Sequence, residues 1–215
     1  MFDQVPDMPA VLADKIRLRI QSDTLPVQPM MSVGSYGLLF GGVFAAVAIL
    51  FATVIGLKGL PVLSPIMAAE LLSVLVALGL WGGWMVARSM RPGSGRLHLG
   101  LLAGVAVGAY EGLVLLLFRD FSTTRFVESG GLCLLTGVLC AAIVAMPVWL
   151  IVRRGFMVDS VRAGALIGLL SGLAGLTALT LHCPIITAPH AGVWHAAVPV
   201  LCVAAGALAG RAFRR

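Results

Sequence analysis

Six apolar stretches, each about 20 residues or longer, follow one another with only short connections between them. They are roughly Tyr36–Leu57, Val62–Ala87, Leu97–Phe118, Ser129–Val152, Ser160–His182 and His190–Gly210. A helix needs about 20 apolar residues to cross a bilayer, so each run is long enough to span. Barrel strands alternate polar and apolar residues over about ten positions, and these runs do not. Charged residues make up only 11% of the chain, against about a quarter in a soluble domain. A soluble protein of this size could not cover its surface with so few ionic groups. The expected fold is therefore an all-α integral membrane protein, a six-transmembrane-helix bundle. The connections leave no room for a second folded domain. Residues 1–35 form an N-terminal arm, 36–210 the bundle and 211–215 a basic tail.

The basic residues set the expected orientation. Lys15, Arg17 and Arg19 precede the first span, and Arg88, Arg91 and Arg96 follow the second. Arg153, Arg154 and Arg162 flank the fourth connection, and Arg211, Arg214 and Arg215 end the chain. Only Lys58, Arg119 and Arg125 fall on the opposite side. Twelve against three is a strong positive-inside bias, which places both termini in the cytoplasm and requires an even number of spans. The net charge of +6 thus reads as a set of topology signals, and no direct nucleic-acid binding is expected. The first 35 residues contain no apolar core of the kind a cleavable signal needs. A bacterial inner membrane is the expected location, with the lipid bilayer itself as a partner.

Glycines recur at four-residue intervals in several spans: Gly100, Gly104, Gly108 and Gly112; Gly164, Gly168 and Gly172; Gly37 and Gly41; Gly206 and Gly210. Lipid tails are as apolar as leucine, so helices in a membrane associate largely through close packing of small residues. These registers read as packing faces. Two acids, Glu70 and Glu111, lie within spans, where carboxylates are costly and face protein or a watery cavity. At 100° per residue Glu111 shares the glycine face of its helix. A small proton-coupled or solute transporter using Glu70 and Glu111 is the alternative function class that these acids raise.

The arm sequence "DMPAVLADKIRLRIQ" suits a short helix, with Asp7 as a cap and Pro9 in its first turn. Leu12, Ile16 and Ile20 would line one face. "IRLRI" also alternates as a strand does. "SDTLPVQPM" then favours extended backbone through Pro26 and Pro29. Such an arm fits either a disordered or interfacial tail or a segment that docks on a cytosolic protein.

On the predicted topology Cys133, His182, Cys183, His190 and His195 all lie near the outer surface, while Cys140 and Cys202 fall near mid-membrane as small apolar groups. The outer cysteines meet an oxidising compartment in a bacterial inner membrane. They could pair as a disulfide or hold a soft metal ion with nearby histidines. Neither follows from spacing, because no C-x2-C or H-x3-H pair is present. The chain also lacks H-E-x-x-H, G-x-S-x-G and any phosphate-cradling glycine loop. No enzymatic activity and no resident cofactor are expected.

"RRGFMVDSVRAGALIGLLSGLAGLTALTLHCP" (153–184), followed by Trp194, resembles the C-terminal half of the NrsF-like family of six-span membrane anti-sigma factors. "LPVQP" (25–29) is similar to the Pro-Val-x-Pro stretch before that family's first span, and Cys133 falls where the family has its other characteristic cysteine. Two positions depart from the family pattern. Ile185 follows the His-Cys-Pro where an acid is common, and His195 follows Trp194 where an aromatic residue is common. The resemblance implies a negative regulator that holds an ECF-type sigma factor through its arm. Leu12, Ile16, Ile20, Asp23, Pro26, Val27 and Pro29 are then the candidate partner-binding residues. Cys133 and Cys183 become the candidate redox or metal sensing pair, with His182, His190 and His195 as possible accessories.

Overall fold

A computed structural model describes residues 10–23, 31–91, 98–124, 126–155 and 159–213. The chain divides into two units, Met1–Met31 and Ser32–Arg215. In the first, helix α1 (Ala10–Asp23) carries the arm. "IRLRI" is therefore helical and not a strand, and Leu12 and Ile16 are exposed together with Val11 and Leu18. Ile20 and Asp23 belong to this helix, but their side chains lie outside the described set. Asp7, Pro9, Pro26, Val27 and Pro29 lie outside the described residues altogether.

The second unit contains six helices long and apolar enough to cross a membrane: α2 (Val33–Ile55), α3 (Pro65–Ser89), α4 (Leu99–Leu117), α5 (Phe126–Val152), α6 (Ser160–His182) and α7 (Ala188–Ala212). Each matches a predicted span to within a few residues. Local chemistry fixes several starts. Ser32 Oγ accepts from Ser35 N at 3.0 Å, and Ser64 Oγ accepts from Met67 N with Pro65 opening α3. Asp159 caps α6 by accepting from the backbone N–H of Val161 and Arg162, both at 3.1 Å. These contacts satisfy N–H groups that have no partner within the helix. Asp159→Ala is expected to destabilise the protein by about 1 kcal/mol, measured as a lower thermal midpoint in detergent.

Helix α6 occupies the centre. Its membrane-length window is 100% buried, whereas the other five spans are between 17% and 33% buried. It packs against α2, α3, α5 and α7. A helix that is apolar on all sides can be surrounded by other helices, and α6 has small or apolar residues around its whole circumference. Its three buried hydroxyls are satisfied within the helix: Ser171, Thr177 and Thr180 donate to the carbonyls of Gly168, Leu173 and Leu176. The hydroxyl dipoles therefore need no partner from the surrounding helices.

Glycines let the backbones meet. Gly164 faces Gly206, Gly168 faces the backbone of Cys202, and Gly172 faces Pro199, so α6 and α7 are in close contact along their length. Gly37 and Gly41 in α2 similarly admit Trp84 and Leu80 of α3. The register in α4 departs from expectation. Gly100, Gly104, Gly108 and Gly112 have nothing within 4 Å of a Cβ placed on them. Helix α4 is instead held through Ala106, Tyr110 and Val114, its buried residues. Its glycine face points away from the bundle because α4 sits at the periphery, with neighbours on that other side only.

A candidate thiol and imidazole centre

The connections α2–α3, α4–α5 and α6–α7 emerge at one end of the bundle and are tied together there. Gly59 N–H donates to Leu181 O at 3.0 Å, and Ala188 N–H donates to Asp120 O at 2.8 Å. A Cβ at Gly59 would lie 2.6 Å from Thr180 O and 2.8 Å from Cys183 O. Glycine is what allows this loop to sit on the last carbonyls of α6. His182 Nδ1 bonds the carbonyl of Gly56 at 2.7 Å. A carbonyl only accepts, so Nδ1 carries the proton.

Between these ties lies a cluster of four side chains. Cys133, about two turns into α5, places its Sγ 3.6 Å from Sγ of Cys183, the residue that caps α6. His190 Nε2 is 3.5 Å from Cys183 Sγ. His195 completes the group, and one ligand atom from each of Cys133, Cys183, His190 and His195 lies within 4.8 Å of all the others. Both cysteines are free thiols. The Sγ–H of Cys133 beside it holds the Cys183 thiol below its ordinary value, as do the His190 and His195 rings, against a burial that raises it. A thiolate is the nucleophile and metal ligand form of cysteine. A cavity of about 10 Å³, lined in part by Tyr110, Thr180, Cys183 and His195, adjoins the cluster. That is about the room one water molecule needs.

The remaining candidates sort clearly. His182 lies outside the cluster and holds Gly56 instead. Glu70 is exposed, and Glu111 lies against Gly192, where a Cβ would meet its Oε2 at 2.8 Å. Neither acid belongs to the cluster. Cys140 is buried and directs its Sγ to Ala174 O at 3.9 Å, as a small apolar core residue. Sequence reasoning did not single out Tyr110, fully buried with its hydroxyl in contact with Thr180. The niche for Trp194 was equally hidden: its indole fills the space where a Cβ on Gly130 would sit, beside the Phe126 ring. No linear motif signals either contact.

Fold and site together define a multi-pass helical membrane protein with a paired-thiol centre at one end and a separate polar helix ahead of its first span. The family model described as negative regulator of sigma F (NrsF) matches residues 21–215. The chain belongs to that family, and with it come the role of anti-sigma factor and a sigma factor as partner. Comparison with curated proteins and with solved structures gave no match.

Proposed function

We propose that this protein holds an ECF-type sigma factor at the bacterial inner membrane and releases it when an envelope oxidant or metal ion reacts at Cys133 and Cys183. It acts as a regulator and not as an enzyme. Both termini are cytoplasmic in this reading, so the thiol centre faces outward and the arm faces the sigma factor. The observation that carries it is the approach of two thiols to 3.6 Å from positions fifty residues apart.

Two chemistries suit that pair. An envelope oxidant can remove two electrons while both thiol protons leave and a sulfur–sulfur bond forms. Alternatively, a soft cation displaces both protons. Moving a two-state equilibrium from 1:99 to 99:1 needs about 5.5 kcal/mol of differential stability. A disulfide typically contributes about 2–4 kcal/mol, and ligation by cysteine and histidine about 10–16 kcal/mol. Only the part that differs between the two arrangements acts as a switch, so metal capture has the wider margin. The route to the arm runs through neighbours. Cys183 follows His182, His182 holds Gly56, and Gly56 caps α2, the helix that the arm precedes.

The exposed Leu12 and Ile16 of α1 are the part of the arm suited to bury against a partner. Full-length protein in native membranes should co-purify an ECF-type sigma factor. Leu12→Asp combined with Ile16→Asp should cut capture at least about tenfold, since losing two buried aliphatic contacts costs more than about 1.4 kcal/mol. Co-purification that ignores both substitutions would refute the arm as the binding segment.

A further inference from the structure

His190 and His195 are five residues apart. In an α-helix that spacing separates side chains by about 140°, so sequence periodicity puts them on different faces. The structure winds Ala191–His195 as a π turn. Its i→i+5 hydrogen bonding brings residue 195 back over residue 190, and such turns occur frequently at functional sites. The two rings stand edge to face, 5.2 Å apart. Both are almost fully buried, at 1% and 3% exposure. Among the described residues His195 Nε2 has no hydrogen-bond partner, and His190, which turns its Nε2 to Cys183, has none at Nδ1 on the other side of its ring. Buried polar atoms are rarely left in that condition without a functional reason.

We propose that Cys133, Cys183, His190 and His195 are the four ligands of a tetrahedral site for a divalent, thiophilic cation of the zinc class, closed by the π turn. The inference rests on the reading that the two thiols receive the envelope signal, and adds the imidazoles and the kind of ion. Ligand bonds of about 2.0–2.3 Å require neighbouring ligand atoms on the order of 3.5 Å apart. The Cys133–Cys183 pair at 3.6 Å and the Cys183–His190 pair at 3.5 Å already meet this. The other pairs, within 4.8 Å, close with a contraction of at most about 1.3 Å. Two thiol protons leave as the ion enters, and both imidazoles stay neutral. A divalent ion thus leaves the buried site without net charge, whereas Cu⁺ would leave one uncompensated negative charge, which burial penalises. With no carboxylate among the ligands, the set does not suit Mg²⁺ or Ca²⁺.

The test is a titration of the reduced full-length protein in detergent with Co²⁺, which reports tetrahedral geometry through intense d–d bands and thiolate ligation through a charge-transfer band. One Co²⁺ per chain with both signatures, displaced by Zn²⁺, is the expected result. His190→Ala and His195→Ala should each weaken binding by more than about 100-fold, above the range seen for groups that only support a ligand. His98→Ala, near the other end of the bundle, should bind as the parent does. Should an alanine variant fail to fold by circular dichroism, Cys133→Ser in its place should halve the charge-transfer intensity. Thiolate-bound cobalt indifferent to both histidine substitutions overturns the four-ligand site, as does preference for Cu⁺ without histidine dependence. Normal cobalt binding without sigma-factor release upholds the site and counts against the sensor reading. Oxidant-driven release from a folded protein that takes up no cobalt overturns the site and spares the sensor.

Discussion

Cys183→Ser is expected to leave the sigma factor bound and to abolish its release. The serine oxygen keeps the volume nearly unchanged at the cap of α6, so the bundle and the arm should be intact. It removes the sulfur that lies 3.6 Å from Cys133 and 3.5 Å from His190, and with it both disulfide formation and soft-metal ligation. Transcription from a sigma-dependent promoter should stay at its uninduced level under oxidant or zinc-class metal stress. The parent protein under the same stress should approach the level of a strain lacking the regulator. On the population scale this is the loss of a swing worth about 5.5 kcal/mol. Normal induction in the Cys183→Ser strain would remove the thiol centre from the mechanism. His182→Ala separates chemistry from transmission. It leaves all four cluster residues in place but breaks the bond to Gly56, so cobalt binding should persist while induction falls.

The second large effect is structural. Gly168→Leu should prevent the bundle from assembling, because its Cβ would fall on the carbonyl of Cys202 in α7. Backbone on both sides cannot give way as a flexible side chain can. A destabilisation of about 3 kcal/mol or more is expected, at the upper end for overpacked sites. It should appear as loss of the monodisperse species in fluorescence-detected size-exclusion chromatography. The thiol centre should fail with it, since α7 carries both histidines of the cluster and α6 ends at Cys183. Gly104→Ala is the contrast. Nothing lies within 4 Å of that position, so elution and stability should remain within about 0.5 kcal/mol of the parent. Equal damage from both substitutions would mean that the α4 glycine face is packed after all.

These contrasts show what could be read from the chain. The six spans were legible because partition between lipid and water is a local property of each 20-residue window, which hydropathy reports directly. The pairing of Cys133 with Cys183 was reached through resemblance and not from spacing, and the structure brings the two thiols together.

Lateral arrangement was not legible. The registers in α4 and α6 look alike on paper, yet one faces away from the bundle and the other holds its centre. Lipid and protein interiors are equally apolar, so hydropathy does not distinguish a face that meets a helix from one that meets a lipid tail. The fit of Gly164 against Gly206 and of Gly168 against Cys202 decides it, and that fit exists only once two helices meet. His190 and His195 were visible as possible accessories, but their convergence was hidden for a different reason. Their five-residue spacing sets them about 140° apart on an α-helix and becomes a shared face where the backbone winds as a π turn. Sequence alone determined that this chain has six helices long and apolar enough to cross a membrane, with an arm ahead of the first. Tertiary structure alone decided that α6 is central and that two cysteines and two histidines converge, because both depend on contacts between residues far apart in the chain.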